Sequence, residues 1–271
     1  MKPAISNISL PPYDHTRELS AIRELGFLGI EIAPSRVWTQ TENVRFSQIE
    51  SYRQSVENAG LKVIGLHSLF FDQPDKGLFL GEEVRNKTMD YLVHLSSLCA
   101  DLGGKTLVFG SPPARRRNGL SVDEADKLTI SFFEALAERI SSHGTCFVIE
   151  ALGESESDYI NSAAHALRIT KSVNRKELRG HLDAKALTEA DEVRPEIFEC
   201  AAPFLEHYHA NDPGLGVLGG SGEIDHFLLG NLLKNIGYKG FVSAEQRMIS
   251  ESDPIDSAKA SYLVLKRHYL G

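Results

Sequence analysis

The sequence predicts a single (β/α)8 barrel. Three observations predict it: a phrase repeated along the chain, the number of its repeats, and a length that leaves little over. The phrase is an amphipathic helix, a glycine and a short β-rich run, as in RELGFLGIEIA (23–33), ENAGLKVIGLH (57–67), DLGGKTLVFG (101–110), SSHGTCFVIE (141–150) and NIGYKGFVSAE (235–245). Glycine after a helical segment suits a left-handed C-terminal cap. The runs that follow are rich in Val, Ile, Leu and Phe, as strands buried on both faces of a parallel sheet must be.

Taken in order, the strands fall at 4–9, 28–33, 62–67, 105–110, 146–150, 179–183, 206–210 and 240–245. Helices are expected at 15–25, 44–59, 81–102, 121–142, 158–173, 190–202, 223–236 and 254–268. Ser121 with Glu124 forms a capping-box pattern, and Asp253 before Pro254 suits an N-cap and first turn. Eight units fill the 271 residues as one domain, 1–271, with no Pro-, Gly- or Ser-rich linker. A doubly wound open sheet is disfavoured by the count and by the lack of GxGxxG after the first strand.

Composition narrows the function. With 29 Lys+Arg against 37 Asp+Glu the net charge is −8, and no broad basic surface exists to hold nucleic acid. The one dense basic run, Arg115 to Arg117, reads as a solvated cluster, with phosphate or carboxylate binding as the functional option. Cys99, Cys146 and Cys200 form no CxxC pair and read as three buried, reduced thiols. The N-terminus lacks the apolar core of a signal peptide, and no stretch approaches the ~18 apolar residues of a membrane span. A soluble, cytoplasmic protein is the expectation.

In such a barrel, chemistry collects at the C-terminal ends of the strands. Four consecutive strands end there in metal-capable side chains: FVIE at Glu150, GHLD at Asp183, EHYH at His209 and FVSAE at Glu245. Three carboxylates crowded at a barrel mouth are costly without a positive partner. Only Lys185 stands near, just after the sixth strand. One divalent cation resolves the cost. Oxygen-rich ligation with one nitrogen points to Mn2+ first, with Mg2+, Co2+ or Zn2+ as alternatives. His67, closing the third strand, faces the mouth as a substrate-binding residue or a packed histidine. His181 and His207 lie two residues before proposed ligands, so alternation points them inward one layer deeper. Trp38 and Phe70–Phe71, in loops after the second and third strands, read as loop packing, a sugar-facing wall or a subunit contact.

These residues, with the segment HANDPGLGVLGGSGEIDH (209–226) and its Gly220, Gly222, Glu223 and Asp225, resemble the sugar isomerase/epimerase superfamily with a xylose-isomerase-like TIM barrel. The resemblance spans essentially the whole chain. In the ketose 3-epimerases of that family the glutamates matching Glu150 and Glu245 bind the metal and exchange protons with substrate. Asp183 and His209 complete the metal shell by position, and Glu156 matches a glutamate that contacts substrate oxygens. The chain also departs from the pattern. Ala186 stands where those epimerases carry a substrate-binding histidine, and the loop 213–216 replaces a nearby arginine. Lys185 and Asn211 are the residues expected to take over polar contacts.

The resemblance implies a metal-dependent isomerase or epimerase of a sugar or sugar phosphate, working through an enediolate with Glu150 and Glu245 as the acid–base pair. A metal-dependent keto-polyol dehydratase and a non-catalytic sugar-binding barrel are the alternatives. The abasic-site endonucleases of the same superfamily need histidines where Gly110 and Ala186 stand. A small carbohydrate is the implied partner, with a homo-oligomer as a further expectation and neither nucleic acid nor membrane.

Overall fold

A computed structural model describes residues 1–250 and 252–271. Its eight strands are β1 (Lys2–Ser6), β2 (Gly29–Ile32), β3 (Lys62–Leu66), β4 (Thr106–Phe109), β5 (Cys146–Ile149), β6 (Leu178–Asp183), β7 (Leu205–Ala210) and β8 (Phe241–Ala244). They follow one another in sequence order and close into a barrel. The closure is a parallel pairing of β1 with β8 that sets Ile5 beside Ala244. The barrel expectation holds, with all eight strands present and the first shifted toward the N-terminus.

Helices α1 (Thr16–Leu25), α2 (Phe46–Asn58), α3 (Glu82–Asp101), α4 (Val122–Arg139) and α5 (Ala163–Val173) cover the first half of the outer ring and its turn. The ring continues with α6 (Ala184–Glu189), α7 (Pro195–Ala201), α8 (His226–Asn235) and α9 (Pro254–His268). Both predicted caps form. Ser121 accepts from the Glu124 amide while the Glu124 carboxylate takes the Ser121 amide at 2.9 Å, and Asp253 accepts from the Asp256 amide at 3.1 Å. Among the described residues no helix is long and apolar enough to cross a membrane.

Four local expectations are corrected. The first strand ends at Ser6, not residue 9, because the Ser6 hydroxyl accepts from the Ile8 amide and turns Asn7–Ser9 into a 3-10 helix. The fifth helix begins at Ala163 rather than 158, since Asn161 ties the carbonyls of Leu152 and Ser157 into a loop and Ser162 supplies the cap. The helix expected over 190–202 is confined to α7, and a separate α6 precedes it. Asp191 has positive φ, and Pro195 keeps the residue before it extended. Cys200 is exposed, unlike Cys99 and Cys146. Helix α7 buries Ile197, Phe198 and Ala201, which leaves Cys200 on the outward face.

Candidate metal centre

Strand register assembles the centre. The β6–β7 pairing sets Asp183 beside His209, and β7–β8 sets His209 beside Ser243. One residue further, the Glu245 amide donates to Ala210 at 2.9 Å, so Glu245 leaves the strand at the level of the mouth. Glu150 does the same beyond β5, its amide 3.3 Å from the Phe109 carbonyl. The result brings together all four residues expected as ligands. His209 Nδ1 lies 3.0 Å from Glu150 Oε1, 3.5 Å from Glu245 Oε2 and 3.9 Å from Asp183 Oδ2. One ligand atom from each of the four falls within 4.8 Å of all the others.

The small residue next to Glu150 is required. A Cβ on Gly110, at the end of β4, would lie 1.7 Å from Glu150 Oε2. Only glycine there admits the carboxylate.

Electrostatics favour a cation at the centre of this group. Burial, then the charges of Glu150 and Glu245, push the Asp183 carboxyl well above its usual range. Burial opposes a charged His209, yet Glu31 and Glu245 outweigh it and hold its imidazole well above the ordinary histidine value. Glu245 is likewise buried, but His209 and His67 bring it down to about 2. The cluster thus retains protons that a divalent ion would replace. Three carboxylates and an imidazole are a donor set suited to Mn2+ and its neighbours. The residues present fit the metal.

Behind His209 stands Glu31, a residue that sequence reasoning missed. Its Oε2 is 3.0 Å from His209 Nε2 and accepts from Ser243 Oγ at 2.7 Å, while its Oε1 is 2.9 Å from His207 Nε2. A carboxylate only accepts, so it draws a proton to Nε2 and leaves Nδ1 free to ligate. The signal was legible in principle: one acid in the apolar run GFLGIEIA, on a strand with every residue buried. His181 and His207 lie inside the barrel, one layer below the mouth, as alternation predicted. Their rings sit 4.6 Å and 4.9 Å from that of His209.

The residues expected to bind substrate all line one cavity of about 410 Å3 beside the four candidate ligands. Two of them bond to these candidates. Asn211 Nδ2 bridges Asp183 Oδ2 at 2.6 Å and Glu245 Oε2 at 3.0 Å, and its Oδ1 accepts from the Lys185 amide. His67 places Nδ1 3.3 Å from Glu245 Oε1, with Nε2 against the Ser6 hydroxyl. Lys185 Nζ lies 2.7 Å from Glu156 Oε2 and 3.1 Å from Glu189 Oε1. Ala186, which stands where the resemblance implied a histidine, contributes its backbone amide, which donates to Asp183 Oδ1 at 2.8 Å.

The surrounding loops sort themselves. Phe70 is buried against Phe109 and Tyr91, whereas Phe71 is 81% exposed at the cavity wall. Trp38 is buried against Tyr52, which is packing. The solvated reading of Arg115 is overturned: its guanidinium is fully buried and donates to the Glu150 carbonyl. Arg117 is bound to Asp158, and Arg116 is exposed. The glycine-rich stretch after His209 is architectural. Asp212 accepts from the amides of Gly219 and Ser221, from the Ser221 hydroxyl and from His226 Nε2. Asp225 caps α8, Glu223 is exposed, and residues 220–225 do not line the cavity.

The family model described as "Xylose isomerase-like TIM barrel" matches residues 19–268. The chain belongs to that family. This xylose isomerase-like barrel also superposes on solved structures at low identity. One is D-psicose 3-epimerase from Clostridium cellulolyticum H10, at a TM-score of 0.83 and 17% identity over 99% of this chain and 98% of that one. A second is 3-keto-D-glucoside 4-epimerase from E. coli, at 0.83 and 22% over 98% and 99%. An L-ribulose 3-epimerase gives 0.82 and 19% over 99% and 94%. No curated protein matches the chain.

Proposed function

We propose that this barrel is a sugar isomerase or epimerase, dependent on one divalent metal ion, that works through an enediolate with Glu150 and Glu245 as paired acid and base. The observation that carries the reading is the placement of two carboxylates just past the ends of β5 and β8, flanking Asp183 of β6 and His209 of β7, at the floor of a sugar-sized cavity. The family membership and the epimerases among its structural neighbours support the same activity.

Glu150, Asp183, His209 and Glu245 would hold the metal, with Mn2+ the first choice of this donor set. When bound, the ion supplies Lewis-acid stabilisation of the negative charge on an enediolate. The chain's own groups do the proton work. One glutamate takes the proton from the carbon beside the carbonyl, and the other returns one to the opposite face. His67 holds Glu245 Oε1, Asn211 holds Glu245 Oε2, and Gly110 leaves room for Glu150, so both carboxylates are kept in place. Glu156 and Lys185 stand farther along the wall as substrate contacts.

The substrate in this reading is an uncharged sugar rather than a sugar phosphate. Among the described residues Lys185 is the one lysine or arginine on the cavity wall and is already shared between Glu156 and Glu189, while Arg115 is buried behind Glu150.

The test is solvent-deuterium exchange into a panel of free and phosphorylated ketoses with Mn2+ present. Exchange beside the carbonyl that disappears in both Glu150→Gln and Glu245→Gln is the expected result. Near-normal exchange in either variant with metal still bound sinks the assignment, and an unsaturated product would move the activity to a dehydratase.

A further inference from the structure

Arg115 is a fully buried guanidinium, held in the short 3-10 helix Pro113–Arg115 of the loop after β4. Its Nη1 donates to the backbone carbonyl of Glu150. That carbonyl lies one residue past the end of the β5–β6 ladder, whose last pair is Ile149 with Gly180. The arginine therefore continues the strand's bonding beyond the sheet, at the peptide from which Glu150 projects. The same loop forms part of the cavity wall through Pro112, Pro113 and Ala114, and it is pinned by the Leu78 amide on the Ala114 carbonyl at 2.8 Å.

A hydrogen bond alone does not account for an arginine here. Its Nε and Nη2 have no partner among the described residues, and unpaired buried donors are destabilising. Reach does: glutamine is two atoms shorter than arginine and would fall short of the Glu150 carbonyl, so a side chain of this length is needed to hold that peptide from the loop after β4.

We propose that Arg115 is a positioning residue for Glu150: it fixes the peptide carrying that glutamate from behind, through a buried bond to its backbone carbonyl. The proposal rests on the reading of Glu150 as a metal ligand. Its effect falls on metal affinity and on the rate of proton transfer rather than on substrate capture, because Arg115 does not line the cavity.

The experiment is calorimetric titration of Mn2+ into chelator-treated full-length protein, with sugar exchange kinetics alongside, for Arg115→Lys, Arg115→Gln and Arg115→Met. Replacement of a residue that orients a metal ligand typically weakens metal binding or activity by about 10–100-fold. That loss is expected for the Gln and Met variants, mainly in kcat with KM little changed, and Lys should restore most of it. Gln or Met variants that bind Mn2+ like the unaltered protein overturn the proposal. So does a Lys variant that loses as much as Met, with the same fall in melting temperature, because the role is then packing. If Met fails to fold, the Gln and Lys pair decides alone. Unaltered protein that binds none of Mn2+, Co2+ or Mg2+ overturns the metal reading itself, an outcome distinct from variants with unchanged affinity.

Discussion

Glu31 supports His209 from beneath, with Oε2 3.0 Å from Nε2, while Nδ1 of the same ring faces the three carboxylates of the mouth. One imidazole thus joins the barrel interior to the site. Burial works against a charged Glu31, but His207 and His209 outweigh it and keep its carboxyl well below the usual range. The isosteric Glu31→Gln removes that charge and frees the His209 tautomer. Mn2+ affinity measured by calorimetry should fall by about 10–100-fold. Unchanged affinity would show that Glu31 is only core.

Gly110 offers a cleaner separation of site from fold. A methyl at this position meets the Glu150 carboxylate, the far end of a movable side chain, and no backbone atom closer than 3.4 Å is in its path. Gly110→Ala should therefore keep its melting temperature within a few degrees and displace Glu150. Deuterium exchange into sugar should drop by about 10–100-fold, in the range for a disturbed ligand. Wild-type exchange rates would remove Glu150 from the mechanism.

The barrel was legible in the sequence because each strand is a short apolar run beside a glycine, and that pattern depends only on burial. The cluster of four candidate ligands was legible because a carboxylate or imidazole ending an apolar strand is conspicuous. Arg115 was not, since a run of three arginines reads as solvated, and only the tertiary fold turns one of them inward behind Glu150. Asn211 and His67 were placed correctly at the cavity, yet their polar atoms are spent on Asp183, Glu245 and Ser6 rather than left open for substrate. The β6–α7 connection failed for a simpler reason: Asp183 is at once a proposed ligand and the N-cap of α6, a helix too short to show periodicity.

Asp212 carries a stability prediction. Burial opposes its charge, but His226, Ser221 and the amides of Gly219 and Ser221 lower its pKa to about 2 from an ordinary 3.8. A depressed carboxyl stabilises the fold above its unfolded pKa, and this contribution is lost as pH falls from 3.8 toward 2. After allowance for solvent screening the amount is on the order of 1–2 kcal/mol. Asp212→Asn should lower the unfolding free energy at pH 7 by that amount, and the difference from the unaltered protein should shrink below pH 3.8. A gap that stays constant down to pH 2 would refute the linkage.

Metal and protons should compete at the centre, and the sign follows from the shifts. Asp183 and His209 both have raised pKa values in the metal-free fold. Groups of that kind stabilise the protein below their unfolded pKa values, near 3.8 and 6.5, and the contribution is lost as pH rises through the folded ones. Metal-free protein therefore loses stability toward alkaline pH while its carboxylates repel one another. A divalent ion restores the missing charge, so the stabilisation by Mn2+ should be larger at pH 8 than at pH 5.5. At a free concentration of 100 Kd it amounts to about 2.7 kcal/mol. For a chain of this size that is a rise in melting temperature of roughly 5–10 °C. Chelation should reverse it, and Asp183→Asn should abolish it. Scanning calorimetry with and without Mn2+ across this pH range makes the comparison. A Mn2+ effect that is equal at both pH values, or larger in acid, would mean that the ion does not replace protons held by Asp183 and His209.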